Sequence, residues 1–188
     1  MNKIIILFIF VFFFSCQPIE KIDSIVFDNN QFSKFDILSN EIKINQIFEK
    51  KISDPFIGYT LETSTSQRII NWVNNNFNAI GNENIFIVSI LDASLSQTEF
   101  ENNEATNFDE KINYKYELFY LLEFNLYDES RNLIATTLVE TSRSTTSGLY
   151  ISIQEKENII NDLVYQSLKD LSDESKLLLT KYMGDYIL

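Results

Sequence analysis

Few of the side chains in this sequence can carry out chemistry. The 188 residues include 27 Asp and Glu and one Cys, but no His. Without His, the chain cannot form a Ser-His-Asp triad, a Cys-His pair or an H-E-x-x-H zinc site. A single Cys excludes an internal disulfide and a thiolate metal cluster. The four glycines, Gly58, Gly81, Gly148 and Gly184, stand too far apart for a glycine-rich phosphate loop. We therefore expect no cofactor and no metal.

The carboxylates leave one kind of catalysis open. Two of them can hydrolyse a glycosidic bond when they lie about 5–9 Å apart in a cleft. Among 27 acids such a pair arises easily by chance, and the sequence shows no evident cleft loops. We therefore expect a protein that is not an enzyme. A carboxylate-dependent cell-wall glycan hydrolase is the least favoured alternative.

Two acidic sites call for separate interpretations. Asp92 follows an apolar run, and it is either a buried functional carboxylate or, as we favour, a residue that caps or turns the end of a strand. The segment 98–110 contains five acids but lacks the D-x-[DN]-x-[DN]-G spacing of a calcium loop. It is predicted to be a solvated, flexible loop.

The first sixteen residues, MNKIIILFIFVFFFSC, have the organisation of a signal peptide. Lys3 gives a positive start, and Ile4 to Phe14 is an unbroken apolar run. As a helix this run rises about 16 Å, roughly half of the hydrocarbon core of a bilayer, so it is too short to span. The run ends Phe-Phe-Ser-Cys, which resembles a bacterial lipobox. That resemblance implies diacylglyceryl transfer to the Cys16 thiol, cleavage before Cys16 and acylation of the new amino terminus.

Two alternatives to lipidation remain, an ordinary secreted protein with a free Cys16 and an uncleaved anchor. If lipidation occurs, several acyl chains attach the protein stably, where a single chain would hold it only marginally. Gln17 follows the cysteine. An Asp at that position is an inner-membrane retention signal in enteric bacteria, so its absence favours the periplasmic face of the outer membrane, with the inner membrane as the alternative.

Charge and length restrict the class of protein further. The formal net charge is −12, and removal of residues 1–15 takes away only Lys3, which leaves −13. Such acidity argues against nucleic acid as a partner, because binding phosphates requires a basic face. At 45% hydrophobic residues the chain can build a core, and its length fits one domain. We expect a signal peptide over 1–15, a lipidated tether over 16–40 and a single domain over 41–188.

Hydrophobic periodicity predicts an α+β domain. A short strand is predicted at Ile25 to Phe27, and Ile42 and Ile44 give a weak strand signal. Ser64 and Gln67 form a capping box before a short amphipathic helix, and Gly81 is predicted to end that helix. The apolar run 85–95 predicts a central strand.

The clearest pattern is the alternation over Tyr114 to Tyr127, which predicts a strand that pairs with Leu133 to Ser144 in a long antiparallel hairpin. Ser152 and Glu155 form a second capping box, which opens a long C-terminal helix with a break predicted near Ser172. The order of elements predicts a mainly antiparallel sheet with the helices packed on one face.

Four short motifs carry a family resemblance. They are Ile70-Asn71-Trp72-Val73, Ile90-Leu91-Asp92-Ala93-Ser94, Glu140-Thr141-Ser142-Arg143-Ser144 and Ser152-Ile153-Gln154-Glu155-Lys156-Glu157. With the order of elements, they resemble a group of uncharacterised lipoproteins of alphaproteobacteria, over roughly Ile69 to the C-terminus. That group has no assigned activity, so the resemblance implies no functional residues.

A second resemblance concerns the fold alone. The layout is similar to that of small lipoproteins that serve lipid-export machines, such as the lipoprotein subunit of the lipopolysaccharide-export translocon and the auxiliary lipoprotein of phospholipid-trafficking systems. We therefore expect a non-enzymatic binding or assembly accessory, with lipid or envelope-component transport as its setting. An envelope protein could bind by adding a strand to the hairpin. A small-ligand-binding or purely structural lipoprotein is the alternative.

Overall fold

A four-stranded sheet forms the centre of the molecule in a computed structural model that describes residues 25–102 and 111–188. The elements are β1 (Phe35–Ile37), β2 (Glu41–Gln46), α1 (Thr65–Asn76), β3 (Phe77–Ala79), β4 (Ile85–Glu101), β5 (Ile112–Tyr127), β6 (Leu133–Gly148) and α2 (Ile153–Met183). The strand order in the central sheet is β2-β4-β5-β6. β2 runs parallel to β4, whereas β5 runs antiparallel to both of its neighbours, β4 and β6. The predicted α+β class, with its mainly antiparallel sheet, is confirmed.

The period-two alternation of β5 gives the sheet one apolar face. Leu118, Tyr120, Leu122 and Phe124 are fully buried, while the residues between them are only half-buried. Leu122 lies opposite Ile90 of β4 and Val139 of β6, which are also fully buried. Both helices pack on this face, which we call the inner face. The predicted long hairpin is therefore confirmed, and its first strand is central.

Helix α1 begins as predicted and ends earlier than predicted. The Ser64 hydroxyl accepts a hydrogen bond from the Gln67 backbone N–H at 3.2 Å. The helix stops at Asn76 because Phe77 adopts extended backbone and opens β3, which pairs with β1. Burial of the Phe77 ring between Phe35 and Phe124 accounts for this early end. The prediction that Gly81 terminates the helix was wrong.

Gly81 instead allows two backbones to approach closely. Its N–H donates to the Ser39 carbonyl at 3.0 Å. A Cβ at residue 81 would lie 2.8 Å from the backbone atoms Leu38 C and Ser39 N. Such contacts require the backbone itself to shift, so this position needs glycine for reasons of space.

Gly81→Ala should therefore destabilise the domain, by about 1–3 kcal/mol for an overpacked position. Gly184→Ala is the matched control, because a Cβ there has open space around it. We expect the control to stay within about 0.5 kcal/mol of the parent. Urea unfolding of both variants measures the difference, and equal midpoints would contradict this account of Gly81.

Helix α2 is one continuous element of 31 residues. The Ser152 hydroxyl accepts from the Glu155 N–H at 3.1 Å, which confirms the second capping box. The break predicted near Ser172 is absent from α2. Ser172 is fully buried, and its hydroxyl accepts a hydrogen bond from the Ser33 N–H at 3.0 Å. Ser172 interrupts the apolar pattern because it bonds to the segment before β1, and the helix continues through it.

The folded domain begins before residue 41, where the sequence placed its start. Phe32, Phe35 and Ile37 belong to the core, and none is more than 4% exposed. The segment 25–28 is irregular, so the short strand predicted at Ile25 to Phe27 was wrong. Among the described residues the first strand is β1, which begins ten residues after Ile25.

Candidate functional site

The predicted lipidation site, Cys16, lies outside the described residues. Acylation of its thiol and cleavage before it therefore stay predictions. Within the described ranges, no helix is both long enough and apolar enough to cross a membrane. All of the described residues follow the predicted anchor.

β6 is the longer of the two edge strands of the sheet, since β2 at the other edge has only six residues. This 16-residue strand pairs with β5 along its whole length and lies at the edge of the sheet. In the parts of the chain that the structure describes, no strand pairs with its other side. The backbone groups on that side can therefore pair with an added strand.

The side chains of β6 do little to protect that edge. Natural edge strands are commonly blocked by Lys, Pro or short length. β6 contains neither Lys nor Pro, and its only charged residues are Glu140 and Arg143. Leu138, opposite Glu123, is 51% exposed on the side of the sheet away from the helices, which we call the outer face. Ile134, where the β5–β6 register shifts, is 38% exposed. The edge therefore combines backbone that pairs with no described strand on one side and exposed apolar side chains.

An ion pair fixes this strand to the helix layer. Arg143 donates from Nε and Nη2 to the two Asp170 carboxylate oxygens, at 2.6 and 3.0 Å. These hydrogen bonds raise the pKa of the Arg143 guanidinium, so it stays charged. Val139 is fully buried on the inner face. Arg143 and Asp170 thus connect the edge strand to α2, and the sequence alone did not indicate their pairing.

Asp92 lies within a strand and does not end one. The register of β4 shifts between Ile90 and Asp92, and β4 continues to Glu101. One Asp92 oxygen accepts from the Ser94 N–H at 2.8 Å, and the other lies 3.5 Å from Lys51 Nζ. The preferred prediction of a strand-end cap was therefore wrong about the strand end. Asp92 instead satisfies the backbone at a β-bulge.

The remaining candidates for chemistry are dispersed. Within residues 25–102 and 111–188, no three acidic or Cys side chains cluster closely enough to hold a metal ion. Glu99 and Glu101 belong to β4, although they were predicted to lie in an acidic loop. Residues 103–110 of that predicted loop lie outside the described residues. Tyr120 is fully buried, and burial raises the pKa of its phenol, so this group stays protonated at neutral pH.

A groove of about 430 Å³ lies between the start of α1 and the start of α2. Leu61 and Ile160 contribute apolar surface, and Ile153 stands at the groove 80% exposed. Its charged lining consists of two cations, Arg68 and Lys156, and two carboxylates, Glu62 and Glu157. The groove is therefore neutral in an acidic protein.

The segment before β1 is held between the two helices beside this groove. The Phe27 ring stacks under the Arg68 guanidinium at 3.6 Å and meets the Tyr165 ring edge-on at 5.5 Å. The Tyr165 hydroxyl donates to Gln31 Oε1 at 2.7 Å, and Asn76 Nδ2 donates to the carbonyls of residues 29 and 32. The sequence did not predict this clamp, because its members are up to 138 positions apart and follow no common pattern.

Comparison with known proteins found likeness at the level of overall structure. No protein-family model and no curated protein matches the chain. The minor lipoprotein from Acinetobacter baumannii aligns at 9% identity over 76% of this chain and 96% of that one, with a TM-score of 0.40. Rare lipoprotein B from Shewanella oneidensis aligns at 13% identity over 73% and 94%, with a TM-score of 0.35.

A third solved structure is that of a neuraminyllactose-binding hemagglutinin homologue from Helicobacter pylori. It aligns at 12% identity over 87% of this chain and 96% of that one, with a TM-score of 0.46. Two of these three neighbours are lipoproteins. At such identities and TM-scores we take no ligand, partner or activity from them. The alphaproteobacterial family resemblance stays a prediction.

Proposed function

We propose that this protein is a lipid-anchored lipoprotein of the bacterial cell envelope, held at the periplasmic face of the outer membrane by acyl chains on Cys16. In this proposal it is a non-enzymatic binding or assembly accessory that recruits an envelope protein to the β6 edge. The setting is transport of lipid or another envelope component. The signal-peptide pattern before Cys16 supports the anchor.

The observation that carries the binding role is the open edge of β6. An extended segment of a partner could form main-chain hydrogen bonds along this edge and place alternate side chains against Ile134 and Leu138. β6 is ordered by its pairing with β5 and by the burial of Val139, so little ordering of the edge should be needed on binding. Strand addition also needs no catalytic side chain in this protein.

Thr136→Pro should abolish partner binding without unfolding the domain, because the Thr136 N–H points away from β5. The Leu95 carbonyl bonds to Ile57 and so faces away from β5, which leaves its partner Leu118 to bond to Arg143 of β6. Counting back from Arg143 in an unbroken register, Ala135 faces β5 and Thr136 faces the open side. Thr136 is exposed, and proline removes the backbone donor and places a ring against an incoming strand. Thr136→Ala is the matched control because it keeps the N–H. Neighbouring N–H groups of a strand point to opposite sides, so Ala135→Pro removes a hydrogen bond to β5 and should lower the thermal midpoint. Binding is measured on Thr136→Pro, whose circular dichroism spectrum should match that of the parent.

Partner binding is measured in cells by photo-crosslinking. A crosslinking amino acid replaces Leu138 on the edge strand or, as the control, Leu177 of α2, which is somewhat more exposed at 61%. We expect a discrete crosslinked protein from position 138 that is missing from position 177 and is lost in the folded proline variant. A crosslink that persists in the folded proline variant would show that the β6 edge is not the binding surface.

A further inference from the structure

We propose that the β6 edge selects an extended partner segment in which a Lys or Arg lies between two large apolar residues at alternate positions. This inference rests on the proposed strand addition at β6, and it names the chemistry of the partner. The residues of β6 that would contact the segment are Leu138, Glu140 and Ser142, which we call the edge triplet.

The backbone of the edge triplet is open, whereas the comparable stretch of β4 is covered. Where β4 extends beyond β2, the Ile57 N–H donates to the Leu95 carbonyl at 2.9 Å, and the Gln97 N–H donates to the Pro55 carbonyl at 2.8 Å. No described segment forms such hydrogen bonds with the open side of β6. Because the Thr136 N–H faces this side, the backbone groups of every second residue after it, including the edge triplet, face it too.

The side chains of the edge triplet lie on the outer face, beside the place of an added strand. Their neighbours on β5 are Glu123, Leu121 and Phe119. Directly opposite residues of paired strands have their Cβ atoms about 4.5–5.5 Å apart. Three alternate residues of the partner would therefore contact the edge triplet.

Glu140, in the middle of the edge triplet, selects a cation. It is exposed and forms no ion pair with any described residue. Arg143 is paired with Asp170 on the helix side, and Lys115 is paired with Glu117. A Lys or Arg opposite Glu140 would form a cross-strand ion pair, whereas an Asp or Glu would be repelled. The net charge of −12 attracts basic segments to every side of the protein, so the open edge decides where such a segment binds.

Apolar surface lies on both sides of Glu140. Leu138 is 51% exposed on one side. On the other side Ser142 is small, and the half-buried Phe119 lies opposite it on β5. A large apolar residue opposite Ser142 can therefore extend across the serine to the Phe119 ring. The order apolar, cation, apolar is the same in both directions, so it applies to a parallel and to an antiparallel partner.

The test uses two fluorescent nine-residue peptides of identical composition and charge. Both are threonine peptides with one isoleucine third and one phenylalanine seventh. One carries its single lysine at the central position, and its isomer carries the lysine at the first position. Fluorescence anisotropy measures their binding to the full-length protein in neutral detergent micelles. Binding that persists in Thr136→Pro protein is subtracted, because it does not use the edge.

We expect the central-lysine peptide to bind the parent about threefold or more tightly than its isomer. Glu140→Lys should abolish this preference. Glu157→Lys is the matched control, since it changes the net charge equally at the groove beside α1 and should keep the preference. Circular dichroism confirms that both variants are folded. Equal binding of the two peptides, no edge binding of either, or a preference unchanged in Glu140→Lys would overturn the proposed selectivity.

Crosslinking from position 138 in cells separates this inference from the proposed recruitment. If the peptide preference holds and no protein is crosslinked, recruitment of an envelope protein is contradicted while the selectivity of the edge is supported. If a protein is crosslinked equally well in parent and Glu140→Lys cells, recruitment is supported and the selectivity is overturned.

Discussion

Cys16→Ser protein should keep its precursor length, incorporate no labelled fatty acid and fail to enter the lipoprotein fraction of the envelope. The serine hydroxyl cannot replace the thiol that accepts the diacylglyceryl group, and the apolar run Ile4 to Phe14 is too short to span a bilayer as a permanent anchor. The change should be all-or-none, because the chain contains no second Cys.

Ser15→Ala is the matched control for this experiment. It keeps a small residue before Cys16 and should be processed and labelled like the parent. Metabolic labelling with a fatty acid, followed by gel mobility, measures both variants. Equal labelling of Cys16→Ser and the parent would contradict acylation at this thiol, and processing without label would favour an ordinary secreted protein.

Leu122→Ala should cost about 2–5 kcal/mol of unfolding free energy, the range for removing a large aliphatic side chain from a packed core. Leu122 is fully buried between Ile90 and Val139 in the middle of the sheet. The total free energy of unfolding of a domain is only about 5–15 kcal/mol, so the variant should lose a large part of its stability.

Leu138→Ala provides the control for that substitution. It removes the same atoms from a leucine that is 51% exposed on the neighbouring strand, and we expect a change within about 0.5 kcal/mol. Urea unfolding of residues 17–188, which include every described element, compares the two. A neutral Leu122→Ala would contradict the place of this residue in the core.

The sequence predicted those elements that are determined by residues close together in the chain. The alternation of apolar and other residues in β5 continues for most of its length, because one face of that strand meets the helices throughout. The two serine caps could be predicted because each cap and its partner are three residues apart. The candidate edge was partly predictable, since the hairpin and the composition of its second strand are visible in the sequence.

The remaining features depend on contacts between distant residues. α1 ends early because Phe77 is stacked against Phe35 and Phe124, which no window around residue 77 contains. Contacts with distant residues also explain why the segment before residue 41 looks like a tether in the sequence. Its polar and apolar residues follow no simple period, since they contact α1 on one side and α2 on the other. Cys16 remains predicted from its local motif alone.

The two ends of the domain are joined by backbone hydrogen bonds. The Leu38 N–H donates to the Tyr186 carbonyl at 2.8 Å, and the Leu188 N–H donates to the Asp36 carbonyl at 2.9 Å. A chain that emerges from a ribosome or an export channel with its N-terminus first presents Asp36 long before Leu188. β1 can pair with β3 early, but the hydrogen bonds of Leu38 and Asp36 form only after residues 186–188 have been made, so this edge of the domain is completed late.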